Sequence, residues 1–150
     1  MNIGKDIQEN IVRAKREGIV KLTVGALISD EDKKVLVVRR AKGEFLEGVN
    51  EIPSGGVEDG ESCEQALLRE VWEETGLTVT HISRYVSSFD YVERMRVPVR
   101  QLNFEVTVES TFNVKLSNEH DLFKWVARKD IPTAELDNVM QRLLHHYFGD

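Results

Sequence analysis

A chain of 150 residues, 41% hydrophobic and 31% charged, has the size and balance of one globular domain, 1–150, with a proper core. Its net charge of −6 excludes a surface built for nucleic-acid polymers, which needs a basic stripe to gain from counterion release. The longest apolar runs, such as KVLVV at 34–38, fall far short of the roughly 20 residues that cross a bilayer, and no apolar signal segment opens the chain, so a cytoplasmic protein without membrane attachment is expected.

In chain order, residues 5–17 place Ile7, Ile11 and Ala14 on one side of a short helix that ends at Gly18. IVKLTVGALIS (19–29) and KVLVVRR (34–40) are rich in β-branched and aliphatic residues and flank the polar turn DEDK, which predicts a hairpin. The stretch 41–61 is too rich in glycine for a long regular element and reads as a functional loop. A helix follows over 62–75, with Ser62 and Gln65 spaced as a capping box and Gly76 just past its end. Cys63, the single cysteine, reads as a small packed residue.

Beyond it, LTVTHISRYVSSFDYV and VRQLNFEVTVE predict two long strands joined by ERMRVP, and LFKWVAR (122–128) predicts another. Leu136, Val139, Met140, Leu143, Leu144 and Tyr147 then recur at helical spacing. Strands that precede, separate and follow helices imply an α/β fold, a mixed sheet covered by helices on its faces. Trp72 and Trp125 read as core or partly buried aromatics.

The chemistry concentrates at REVWEETG, residues 69–76. On a helix Glu70 lies beside both Glu73 and Glu74, and like charges at that spacing cost about 0.2–0.5 kcal/mol per pair. Arg69 occupies an adjacent part of the wheel, so the balancing charge is expected from outside the helix. Glycines 55, 56 and 60 in the preceding loop allow main-chain carbonyls to approach a bound group. Carbonyls and carboxylates together make an all-oxygen site suited to a hard cation, and magnesium is the usual partner of phosphate-bearing substrates. The opposing reading of such glutamates is a solvated helix face.

Spacing separates the two readings. Gly55, Glu61, the Arg69–Glu70 pair, the Glu73–Glu74 pair, Gly76 and apolar positions around them resemble the signature box of the Nudix hydrolases. Seven fixed residues at about 7% each match by chance on the order of once in 10⁸ start positions, which removes coincidence as an explanation. The resemblance implies a Nudix-type α/β/α sandwich that hydrolyses a nucleoside diphosphate linked to a group X. It also implies that Glu70, Glu73 and Glu74, with the carbonyl of Ser54, bind Mg2+ or Mn2+. Arg69 is then expected to orient a catalytic glutamate, and Glu61 to tie the loop to the helix. Asn50 stands where many members carry tryptophan, and Ser54 where glycine or alanine is frequent.

A downstream glutamate, Glu119 in SNEHDLF, is the candidate general base or additional ligand; His120 beside it reads as a solvated loop residue. Arg39 and Arg40 close a strand directed at the glycine loop, and Phe45, Phe89 and Tyr91 could stack on a base. Arg94, Arg96 and Arg100 form a cationic cluster near a strand turn, with Arg100 a candidate phosphate contact. The expected substrate is a nucleoside triphosphate, with an ADP-ribose or sugar-nucleotide diphosphatase as runner-up, and a non-catalytic nucleotide-sensing module as the reading from another class. The partner is a small nucleotide, and the oligomeric state stays open, a homodimer included.

Overall fold

A computed structural model describes residues 2–150. Helix α1 (Ile3–Arg16) starts where the Asn2 side chain accepts from the Lys5 N–H and is followed by strands β1 (Lys21–Ile28), β2 (Val35–Arg40), β3 (Asn50–Glu51) and β4 (Ser54–Gly56). Helix α2 (Cys63–Thr75), strands β5 (Val79–Val92), β6 (Pro98–Val108) and β7 (His120–Val126), and helix α3 (Asn138–Phe148) complete the order. The α/β layering is the expected one.

The predicted hairpin is not formed. The DEDK turn does reverse the chain: Asp30 Oδ1 accepts from the N–H groups of Asp32 and Lys34, and Lys33 takes a left-handed φ of 63°. Beyond a single bridge from Ser29 to Val35, the two strands then part into different sheets. β1 lies between β4 (antiparallel) and β6 (parallel), with β5 at the far edge, and this is the mixed sheet. β2 lies between β3 and β7 in a second, antiparallel sheet. The loop at 41–61 is thus broken by two short strands, one joining each sheet.

Alternation across β1 and β2 explains why both strands read as nearly continuous apolar runs. Val24, Ala26, Ile28 and Leu36 pack under α1 and α2 with Ile7, Leu67 and Val71. Leu27, Val35 and Val37 pack under α3 with Met140, Leu143 and Leu144. Buried on both faces, these strands need no polar side. β7 begins two residues earlier than expected, so His120 enters the sheet and is 5% exposed instead of solvated. Trp72 reverses its expectation too: it is 60% exposed, because α2 turns that side outward.

Candidate active site

Helix α2 positions the carboxylates. The capping box is complete, with the Ser62 hydroxyl accepting from the Gln65 N–H and the Gln65 side chain accepting from the Ser62 N–H, and Gly76 ends the helix at φ 71°. Glu70, Glu73 and Glu74 face a cleft of about 450 Å³ whose other walls are β4, the β1 residues Lys21 and Thr23, and Glu119. Gly55 is required by proximity, since a Cβ there would fall on the Glu70 carboxyl group.

Much of the balancing charge comes from Arg69 itself, contrary to expectation. Its Nε and Nη2 donate to the two oxygens of Glu61 at 2.7 and 2.9 Å, and Nη2 also donates to the Gly56 carbonyl at 2.9 Å. Nη1 reaches Glu70 at 2.7 Å and Glu73 at 3.2 Å. The hydrogen bonds from Arg69 hold the Glu61 carboxyl down to about 2, helped by the Glu58 N–H. Arg69 is itself pushed above the usual arginine value, by Glu61 first.

Glu74 lies beyond that reach. It is 5% exposed, and its one hydrogen bond comes from the Ser54 N–H at 2.9 Å. Burial raises its pKa to about 9, with the carboxylates of Glu51, Glu70 and Glu119 adding to the rise. Burial raises Glu70 as well, against the pull of Arg69. A partly buried cluster of carboxylates that outnumber their cation suits a hard cation in donor type and in charge. Among the described residues no three such side chains converge closely enough to hold an ion as they stand. Glu70 and Glu73 are drawn toward Arg69, and Glu73, the most exposed of the three, is held by a single 3.2 Å contact.

A second cavity of about 630 Å³ adjoins the cleft and shares Arg40, Glu51, Ser54, Tyr91, Glu93 and Gln101 with it. Phe45, Phe89 and Tyr91 line it, with the Phe89 and Tyr91 rings 6.2 Å apart. At its mouth the Arg94 guanidinium lies over the Phe45 ring, 4.6 Å from the centroid. Asn50, at the position where tryptophan is frequent, is 3% exposed and donates to the carbonyl of Glu135 at 3.0 Å, which anchors β3 to the segment before α3.

Two expected contacts lie elsewhere. Arg39 points out of the cleft to Asp121, 2.8 Å away, and it is Arg40 that lines both cavities. Arg100 is locked to Asp90 at 2.7 and 2.9 Å and to Glu17 at 3.1 Å, clamping β6 to β5 and to the end of α1. The described arginine cluster is therefore divided between a structural clamp and a hairpin tip, Arg94–Arg96. Lys21, Glu51 and Gln101 were not singled out from the sequence; Glu51, three residues before Ser54, carried the only available signal, its closeness to the glycine loop.

Comparison with known proteins gives the chain its family. A family model described as "NUDIX domain" matches residues 20–147. The chain is 36% identical over 80 residues to RNA pyrophosphohydrolase of Shewanella sp. (strain ANA-3), covering 53% of this chain and 43% of that protein. It is 36% identical over 66 residues to 8-oxo-dGTP diphosphatase of Escherichia coli (strain K12), covering 44% and 50%. The chain thus spans half or less of the length of these relatives. The crystal structure of the MutT protein from Methanosarcina mazei Go1 superimposes with a TM-score of 0.76 at 28% identity, covering 88% of this chain and 95% of the other.

Proposed function

Because the chain belongs to the NUDIX family, we propose that it is a magnesium-dependent pyrophosphohydrolase that cleaves a nucleoside triphosphate, or a related nucleoside diphosphate linked to a group X, by attack of water on phosphorus. The observation that carries this reading is the joining of two compartments: a carboxylate-walled cleft that opens into an aromatic-walled pocket. A phosphate chain and a base need those two surroundings side by side. The names of the relatives from Shewanella and Escherichia coli, a pyrophosphohydrolase and a diphosphatase, support the reaction class.

The chain's own groups divide the work. Glu70, Glu73 and Glu74, with the main-chain oxygen of Ser54, would hold magnesium, or manganese in its place. An ion held there would supply Lewis acidity, lowering the pKa of a nearby water and offsetting charge on phosphoryl oxygens. Glu119 lines the same cleft, exposed and opposite the helix, and accepts the proton of the attacking water. A new bond forms from water oxygen to phosphorus as the bridging phosphorus–oxygen bond breaks, and the leaving group departs as pyrophosphate or as the phosphate of X. Arg69 orients Glu70, and Arg40 and Lys21 face the phosphate chain.

The net charge of −6 favours a free nucleotide over an RNA end. Nor is any helix among the described residues long and apolar enough to cross a membrane. Phosphate and pyrophosphate release with magnesium, across nucleoside triphosphates, ADP-ribose and sugar nucleotides, tests the proposal. Turnover of at least one at about 1 s⁻¹ or faster is expected. Tight binding with no turnover anywhere in the panel overturns it in favour of a ligand-sensing module.

A further inference from the structure

Beneath the junction of the two cavities, the antiparallel sheet brings together three polar side chains from its three strands. His120 opens β7 opposite Arg40 of β2, and Glu51 belongs to β3 on the other side of β2. His120 Nε2 lies 2.9 Å from Glu51 Oε2, and the same oxygen lies 3.1 Å from Arg40 Nε. Arg40 Nη1 donates to the Phe45 carbonyl at 3.2 Å, on the loop that forms the pocket's lip.

The His120 side chain is 2% exposed and touches neither cavity. His120 Nδ1 and Arg40 Nε are buried without a hydrogen bond of their own, so Glu51 Oε2 alone links the histidine to the arginine, whose one hydrogen bond is the one from Nη1 to Phe45. Nε2 must be the nitrogen that donates, because a proton on Nδ1 would be a buried donor with no acceptor. The Arg40–Glu51 contact is ionic and off the ideal hydrogen-bond angle, so the arginine's direction depends on where the carboxylate is held.

We propose that His120 is a positioning residue: by donating to Glu51 it fixes the carboxylate that holds Arg40, and thereby sets the guanidinium at the junction where an anionic chain passes from one cavity to the other. Arginine has many rotamers to lose on binding a ligand. Holding it beforehand removes that loss from the binding step. The identity of the anion as a phosphate chain rests on the hydrolase reading; the three-residue assembly does not.

A mutant cycle read as nucleotide affinity tests it. Kd is measured by calorimetry with magnesium for the tightest binder among ADP, GDP, CDP and UDP, so the readout does not require turnover. His120→Asn puts its amide nitrogen near the place of Nδ1, short of Glu51, and is expected to raise Kd about tenfold. His120→Gln carries its nitrogen out to the place of Nε2 and is expected to stay within about twofold. In an Arg40→Ala background, His120→Asn is expected to add less than about twofold, because it acts through the arginine already removed. If His120→Asn does not fold, Glu51→Gln replaces it in the same cycle. An equal loss in both backgrounds, a Gln variant as weak as the Asn variant, or no nucleotide binding by the wild-type protein overturns the proposal. Wild-type turnover on the same samples judges the hydrolase reading separately.

Discussion

The two walls of the cleft handle charge in opposite ways. On the strand wall each cation has an acid close by: Lys21 with Glu93 at 2.9 Å and Arg40 with Glu51 at 3.1 Å. On the helix wall a single arginine serves Glu61, Glu70 and Glu73, and Glu74 is left without a cation. The strand wall is close to neutral and offers an anion only cations that are already paired. The helix wall carries the excess. The difference teaches that, on the proposed function, attraction for a phosphate chain would depend on a cation brought to the helix side, without which both walls would be indifferent or repulsive.

Altering the helix wall should break the contrast at once. Glu74→Gln is expected to lower kcat by about 10³ with magnesium present, because charge stabilisation by a metal clamp acts mainly in the transition state. Steady-state kinetics on the preferred nucleotide measures it, and near-normal turnover would remove Glu74 from the proposed site.

A subtler effect concerns stability without metal. A carboxyl whose folded pKa, about 9, exceeds its ordinary value of 4.5 keeps its proton in the folded state, so its contribution is fully present below about 4.5 and is lost as pH rises through 9. In EDTA the melting temperature should therefore fall between pH 5 and pH 9, by about 5 °C or more, and Glu74→Gln should flatten that fall. Saturating magnesium should flatten it too, by binding the folded carboxylates. Equal slopes for wild type and variant in EDTA would refute the assignment.

The smallest effect sharpens the strand wall. Arg40→Ala is expected to raise KM about tenfold with little change in kcat, the signature of a contact made equally in ground and transition states. Arg39→Ala should stay within about twofold, since its partner is the exposed Asp121. Equal effects of the two would mean that the strand end does not face substrate as described.

How much of this was legible depended on whether the relation was local. Glu61, Arg69, Glu70, Glu73 and Glu74 belong to one helix and the turn before it, so spacing alone put them together, and the capping residues fixed the helix bounds. Glu74's special burial was not legible, because it depends on β4 packing over the helix and donating the Ser54 N–H. Arg39 and Arg40 could not be ranked from the sequence: adjacent strand residues face opposite sides, and the register against β7 shifts between these two. The hairpin expectation failed for a related reason, since the turn chemistry was right but sheet partners are chosen by tertiary packing. Arg100 read as a phosphate contact because the partners that occupy it, Asp90 and Glu17, come from a different strand and from the end of α1.

At the pocket's mouth, the stacking of Arg94 on Phe45 links the hairpin tip to the glycine-loop segment. Both residues are exposed, and contacts of that kind are worth about 0.5–1 kcal/mol. Taken as the whole difference between joined and separated lips, that energy leaves the separated form populated at roughly 15–30%. Entry of a base would then seldom have to wait for the lips to part, and the flat face of Phe45 would exchange one planar cationic partner for another planar group. On the proposed function, the affinity lost to displacing Arg94 would be about three- to sevenfold, a toll small enough that pocket shape and not the latch would decide which base is kept.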